Sequence, residues 1–516
     1  MGYNRPMPPP TPAETVAWLA AMPGARIVAG TPRDARDVVQ DSRNATDGAV
    51  FVAIPGFTVD GNAYIPAALD AGAAAIVVQA DREGAWRPHV RDGACVVAVP
   101  DARAALAKAA AGCHGFPARS LGVVGVTGTD GKTTTAHLTA HVLTATGRPG
   151  GLLSSVAFTA GGQTELNATH MTTVEADEVQ RRLVRIRDAH DRYAVLEASS
   201  IGLVLHRVDA CDFDVAVFTN LTQDHLDFHQ TMDAYRDAKA TLFRMLGDAR
   251  AKPGVAKAAI VNGDDAASDT MLAAAPADVA RVRYSLGGAG DVVAHDITSE
   301  RDGMHFAVDA GRASAAARVP LFGDFNVANS VAASAVAMAQ GATLDDAVGA
   351  LATFPGVPGR MESIDAGQAF RVVVDIASTE QAMRNVLRVL RPATNGRIIV
   401  VFGAAGERDV ERRSGIARAV AAGADYAIIA NEDPRGEDPD AIIDDIARAL
   451  VAAGALEGER FERCADRREA IARAFGRAAP GDSVLLAGKA TEPSIVIGTM
   501  HHPWDERAVA RELLGG

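Results

Sequence analysis

Apolar positions in this chain fall into short continuous runs more than into alternating ones. Runs at residues 50–54, 74–78, 121–127, 193–197, 215–219, 258–261, 372–375, 398–402, 426–429 and 484–486 have the length of strands buried on both faces. Ala- and Arg-rich stretches separate them, and helices are expected at 67–71 and 102–113. Buried strands alternating with helices predict an α/β fold of doubly wound, mostly parallel sheets. Residues 283–318 depart from this pattern. Their closely spaced short strands predict a small antiparallel appendage. No solenoid-type repeat is present.

Two Pro/Gly links punctuate the pattern, Gly115-Phe116-Pro117-Ala118 and the segment at 355–359. They predict three domains, at 1–118, 119–355 and 356–516, the last one Rossmann-like. A chain of 516 residues is too long for one core, which agrees. The formal net charge of −13 argues against nucleic acid or an anionic membrane surface as a partner. Cys95, Cys113, Cys211 and Cys464 lie far apart without a CxxC pair, so neither a zinc site nor a disulfide framework is expected. The polar, Pro-rich start has no signal-like apolar segment, and no apolar run reaches membrane-spanning length. The expectation is a soluble cytoplasmic protein with no membrane insertion.

Lysine is scarce, with six against 45 arginines. Lys108, Lys132, Lys239, Lys252, Lys257 and Lys489 are therefore expected where arginine cannot substitute.

The strongest chemical signal is Gly128-Thr129-Asp130-Gly131-Lys132-Thr133-Thr134, placed between a strand and a helix. Glycines let backbone N–H groups approach phosphates, and the helix N-terminus favours the anion. Lys132 suits the outer phosphates of ATP, and Thr133 or Thr134 suits Mg²⁺. Val126 stands where a strict phosphate loop has its first glycine. The bland reading is a Gly-rich turn without a ligand.

This loop resembles that of the Mur ligases, and further segments follow in that family's order. They are Phe218-Thr219-Asn220-Leu221-Thr222-Gln223-Asp224-His225, Ala238-Lys239, Gly323-Asp324-Phe325-Asn326 and Gly359-Arg360-Met361-Glu362. Upstream, Asp41-Ser42-Arg43 and Phe51-Val52-Ala53-Ile54-Pro55-Gly56 resemble the tripeptide-forming branch. The resemblance spans nearly the whole chain. It implies an ATP-dependent amide ligase that makes an acyl phosphate on the D-Glu carboxylate of UDP-MurNAc-L-Ala-D-Glu. A diaminopimelate-like amine then attacks. It also implies a monomer.

By that resemblance Lys132 holds phosphates, Glu197 and His225 ligate a second Mg²⁺, and Lys239 is carbamylated to N6-carboxylysine. Only a primary amine can become a carbamate, which fits a lysine retained in an arginine-rich chain. Gly128, Thr129, Asp130, Gly131, Thr133, Thr134, Asn220, Asn326, Arg360 and Asp375 would contact the nucleotide. For Asn326, Arg360 and Asp375 the bland readings are a helix cap, a surface arginine and a strand-end carboxylate. Ser42, Arg43, Thr172, Thr173, Ser199 and Arg207 would hold the UDP-sugar peptide. Arg408, Asp433, Arg435, Gly488 and Glu492 would hold the amino acid, and their domain must close onto Lys132 and His225. His229 is read as structural, and His501-His502 as a polar loop.

Several family residues are replaced. Ser378 and Glu380 stand where the family has His and Pro, Ile201 and Thr491 where it has His, Asn62 where a His follows Asp-Gly, and Asp433 where it has Asn. The extra charge of Asp433 is expected to favour an additional cationic group on the amino acid. A paralogue with another amino acid or acceptor, and a nucleotide-binding scaffold without turnover, remain alternatives. Gly403-Ala404-Ala405-Gly406 after a strand raises a dinucleotide oxidoreductase as another, and folate-type or cyanophycin-type ligases share the ATP loop.

Overall fold

The computed structural model describes residues 14–56, 59–169, 171–300, 302–408 and 410–515. Three main sheets form within two compact units. The first unit holds the N-terminal sheet and most of the larger one.

The N-terminal sheet has five strands. Asp37–Val39, Ala49–Val52, Ala75–Gln79 and Val96–Val99 run parallel, and Arg26–Ala29 closes one edge antiparallel. The helix expected at 102–113 is found as Ala102–Cys113, and Asp101 caps it by accepting from the N–H groups of Arg103 and Ala104.

The larger sheet carries six adjacent parallel strands in the order Ala280–Leu286, Ala258–Asn262, Val215–Phe218, Gly122–Thr127, Tyr193–Glu197 and Gly150–Leu153. Short antiparallel strands Ala157–Ala160 and Gln163–Leu166 extend one edge. The other edge corrects the sequence reading. The strands Val292–Glu300, Gly303–Ala310 and Ala313–Val319 join this same sheet and are not a separate appendage. The backbone edge of Ala280–Leu286 is open to pairing, and Val292–Glu300 takes it in parallel register.

In the second unit six strands lie in the order Glu362–Ile364, Arg371–Asp375, Ser483–Ala487, Ile398–Phe402, Tyr426–Ile429 and Phe461–Arg463. All pairs are parallel except the first. Ile398, Val400 and Phe402 enter one apolar cluster, while Ile399 and Val401 enter another. That alternation is the period-2 signature of a strand covered on both faces, and it explains the unbroken apolar runs. His501-His502 was read as a polar loop but lies in strand Met500–Pro503, paired antiparallel with Ser494–Ile497. No helix among the described residues is long and apolar enough to cross a membrane.

Candidate active site

Strand Gly122–Thr127 is buried throughout and delivers the phosphate loop at its carboxyl end. Gly131 adopts φ 81° and caps helix Lys132–Ala145. Both glycines that flank the turn are required. A Cβ on Gly128 would stand 1.8 Å from Thr219 Oγ1, and one on Gly131 would stand 2.6 Å from Asn329 Oδ1. The neighbouring strand supplies the clasp. Thr219 Oγ1 donates to the Asp130 carbonyl at 2.6 Å. Asn220 Oδ1 accepts from the Asp130 N–H at 2.9 Å, and its Nδ2 donates to the Asp130 carbonyl at 3.0 Å. The amide of Asn220, placed among nucleotide contacts from the sequence, holds the loop backbone. Lys132 Nζ donates to the carbonyls of Gly128 and Thr129 at 3.1 and 2.6 Å.

Strand Tyr193–Glu197 ends beside the loop. The Glu197 carboxylate is buried, accepts from Thr133 Oγ1 at 3.1 Å, and takes the N–H of Ser155 at 2.7 Å. Ser155 Oγ lies 2.9 Å from Thr133 Oγ1. A hydroxyl and a carboxylate meeting at a phosphate loop are hard oxygen donors, the set that suits Mg²⁺.

Lys239 lies on helix Met232–Arg244 and is 1 % exposed. Its Nζ donates to the Gly128 carbonyl at 2.6 Å and lies 4.1 Å from the Tyr235 ring centroid. Burial, and after it the Lys132 cation, pushes this ammonium down to about 6. Tyr235 is pushed up to about 12, mainly by burial, and its hydroxyl lies 3.2 Å from Thr129 Oγ1. His225 is solvent-accessible at φ 53° and precedes the short helix Leu226–His229. His229 is buried with Nε2 2.9 Å from Ser200 Oγ, as a structural histidine should be.

The substrate-side residues of this unit form a second cluster. Thr173 Oγ1 donates to the Glu197 carbonyl at 2.9 Å and lies 3.1 Å from Ser199 Oγ, which caps helix Ser200–Val204. Arg207 donates to the Thr173 carbonyl at 3.1 Å and to Glu175 at 2.6 Å, while its Nε is buried without a hydrogen-bond partner. Thr172 is half-buried beside Thr173. Ser42 and Arg43 sit in a 3-10 turn capped by Asp41, and Arg43 makes a bidentate pair with that carboxylate on the surface.

In the second unit Asp375, Arg408, Asp433, Arg435, Gly488 and Glu492 lie at or after the carboxyl ends of parallel strands, where open α/β sheets bind ligands. Asn326 lies on helix Asp324–Ala339, and Arg360 precedes strand Glu362–Ile364. Asp375 ends its strand and accepts from the N–H groups of Met361 and Ala377, both at 2.8 Å. Burial raises its carboxyl above the usual range, against the pull of Arg360 and those two N–H groups. Asn326 is buried and donates to the Phe322 carbonyl at 2.9 Å. Arg408 is exposed on the loop after strand Ile398–Phe402. Arg435 adopts φ 52° and its N–H donates to the Val496 carbonyl at 2.9 Å.

Asp433 already has a cation from the protein itself. Its charge was expected to await a substrate cation, but Lys489 Nζ donates to its Oδ1 at 2.8 Å, and the Val496 N–H at 2.9 Å. The same ammonium reaches Glu492 Oε2 at 2.5 Å. Gly488 has φ 104°, and a Cβ there would stand 2.5 Å from Glu432 Oε2. The Gly403–Gly406 turn is explained by crowding, since a Cβ would meet the Ala430 carbonyl at 2.3 Å and the Pro434 carbonyl at 2.1 Å. It accommodates a neighbouring loop and is not evidence for a dinucleotide.

Ser155, Thr219, Tyr235, Glu432 and Lys489 were missed as site residues. Thr219 lay inside the quoted Phe218–His225 segment and Lys489 stood out through lysine scarcity, while Ser155 left no signal. Lys252, likewise buried, pairs with Asp214 at 2.6 Å, but Lys108 is exposed and follows no such rule.

Comparison with known proteins gives three family matches. Residues 37–114 match the Mur ligase family, catalytic domain, residues 126–337 the Mur ligase middle domain, and residues 359–490 the Mur ligase, glutamate ligase domain. A UDP-N-acetylmuramyl-tripeptide synthetase of Roseiflexus sp. (strain RS-1) is 47% identical over 92% of this chain and 94% of that protein. A UDP-N-acetylmuramoyl-L-alanyl-D-glutamate--2,6-diaminopimelate ligase of Geobacillus kaustophilus (strain HTA426) is 39% identical over 96% of this chain and 97% of its own. A solved structure of a ligase with that same diaminopimelate name is 30% identical, with a TM-score of 0.63, covering 94% of this chain and 95% of the other.

Proposed function

The chain belongs to the Mur ligase family, and from that premise we propose that it adds diaminopimelate, or a close analogue, to UDP-MurNAc-L-Ala-D-Glu. It is an ATP-dependent, ADP-forming amide ligase. The reading's carrying observation is the buried Lys239 amine against the Gly128 carbonyl. A plain nucleotide-binding scaffold has no use for a desolvated primary amine at its phosphate loop, whereas a ligase that carbamylates it does.

The chemistry proceeds in two displacements. An oxygen of the D-glutamyl carboxylate attacks the γ-phosphorus of ATP, and the bond from that phosphorus to the ADP oxygen breaks. The amine nitrogen then attacks the acyl carbon, loses a proton, and inorganic phosphate leaves. Both steps gather anions, so electrostatic stabilisation dominates. Lys132 would bind the β- and γ-phosphates and the loop N–H groups would cradle them. Thr133, Glu197 and His225 would hold Mg²⁺, which supplies charge neutralisation. Thr173, Ser199 and Arg207 would orient the acceptor, with the buried Arg207 Nε offering an N–H to an anion. Arg408 and Arg435 would take carboxylates of the amino acid, and Glu492 its ammonium.

The test is phosphate release from ATP and Mg²⁺ with UDP-MurNAc-L-Ala-D-Glu, with and without diaminopimelate, and the product mass. Amino-acid-dependent release with a tripeptide product is expected. Release with lysine but not diaminopimelate overturns the amino-acid assignment, and no release with any amino acid overturns the acceptor.

A further inference from the structure

We propose that Lys489 is a positioning residue that ties Asp433 and Glu492 into one ion cluster that shapes the receptor for the incoming amino acid. The inference rests on the amino-acid reading given above and deepens it.

Lys489 follows strand Ser483–Ala487 and is 0 % exposed. Its ammonium lies 2.8 Å from Asp433 Oδ1 and 2.5 Å from Glu492 Oε2, bridging two carboxylates 59 residues apart in sequence. A buried ammonium is tolerated only with such partners. Asp433 is fixed further by the Val496 N–H at 2.9 Å. A third carboxylate, Glu432, is buried beside Gly488. Without the Lys489 ammonium, Asp433 and Glu492 would face each other beside Glu432 and repel or take up protons.

Geometry explains the choice of lysine in a chain that otherwise uses arginine. A point ammonium donates in separate directions to two oxygens on different elements and fills less of a closed site than a planar guanidinium would. Lys489 also cancels the charge that Asp433 introduces. The receptor therefore has no surplus negative charge from this position, and Asp433 does not demand an extra cation on the amino acid.

The experiment compares Lys489→Met, Asp433→Asn and the double variant with the full-length wild type in the phosphate-release assay. KM is measured separately for ATP, UDP-MurNAc-L-Ala-D-Glu and diaminopimelate, and circular dichroism checks folding. Lys489→Met is expected to raise the amino-acid KM by about tenfold or more, with the other two KM values within about twofold. Asp433→Asn in that background is expected to restore part of the loss, because the uncompensated charge is gone. Lys489→Arg is expected not to rescue. An amino-acid KM unchanged in folded Lys489→Met, an equal rise in all three KM values, or no restoration in the double variant overturns the inference. A Lys489→Met chain that fails to fold is replaced by Lys489→Gln under the same criteria. Wild type that turns over lysine or another amino acid alters the substrate assignment alone, and the KM series is then run with that amino acid. Wild type inert with every amino acid overturns the proposed function and this inference with it.

Discussion

Lys239 Nζ donates to the carbonyl oxygen of Gly128 at 2.6 Å, joining a buried lysine of one helix to the first residue of the phosphate loop. The two are 111 residues apart. The contact places a desolvated amine where a carbamate would carry negative charge beside the phosphate loop.

Carbamylation needs the neutral amine, which adds to carbon dioxide and releases one proton. With the Lys239 ammonium depressed to about 6, the amine is available at neutral pH. Activity regained after removal and re-addition of bicarbonate should therefore rise as pH increases through about 6. Lys239→Arg should lose about 10²-fold in kcat or more, without recovery in bicarbonate. Intact-mass spectrometry under native conditions should detect the adduct in wild type only.

Gly128→Ala forces a methyl to within 1.8 Å of Thr219 Oγ1 at a backbone angle of φ 151°. ATP-dependent phosphate release should fall to background, and the melting temperature should drop by several degrees as the loop clasp opens, roughly 1–3 kcal/mol. A variant with wild-type KM for ATP would contradict the clasp.

Glu197→Gln keeps the side-chain shape but leaves one acceptor oxygen in place of the two that face Thr133 and Ser155, and it removes the charge. The Mg²⁺ concentration for half-maximal rate should rise, with kcat lower by about 10²-fold. Titration of Mg²⁺ against initial rate checks this, and an unchanged Mg²⁺ dependence would exclude Glu197 as a ligand.

Burial pushes the Glu432 carboxyl up to about 7, from an ordinary value near 4.5. In the folded chain it holds a proton that the unfolded chain has already released. Its contribution to stability is thus present below about 4.5 and is lost as pH rises through about 7. Glu432→Gln should gain melting temperature relative to wild type as pH is raised from about 5 to about 8. A constant difference across that window would show that Glu432 is ionised throughout.

Arg467 and Glu506 form an ion pair with both side chains essentially inaccessible, 1 and 0 % exposed. Arg467 also donates to the Ala487 carbonyl at 2.7 Å, at the base of the Lys489 loop. Arg467→Met should cost about 3–5 kcal/mol by stranding Glu506. Adding Glu506→Leu should recover most of that loss in chemical denaturation, since the desolvated charge has been removed.

The sequence alone determined the strands, their parallel arrangement and the phosphate loop. These are legible because they are local. An unbroken apolar run records two covered faces, and Gly128 to Thr134 carries its own turn, cation and helix start. Motif order also named the residues at the strand ends, such as Glu197 and Asp375. What each side chain faces was decided only by tertiary structure. Thr219 reaches Asp130 across 89 residues, Thr135 reaches Asn329 across 194, and Lys489 reaches Asp433 across 56. Such contacts leave no periodicity, because sheet pairing and loop approach set them. The same holds for the strands at 292–319, whose short alternation fixed neither partner nor edge, and for Asp433, whose charge looked unpaired until the fold brought an ammonium to it. Charge balance in a buried site is a property of three-dimensional neighbours, and no reading along the chain contains it.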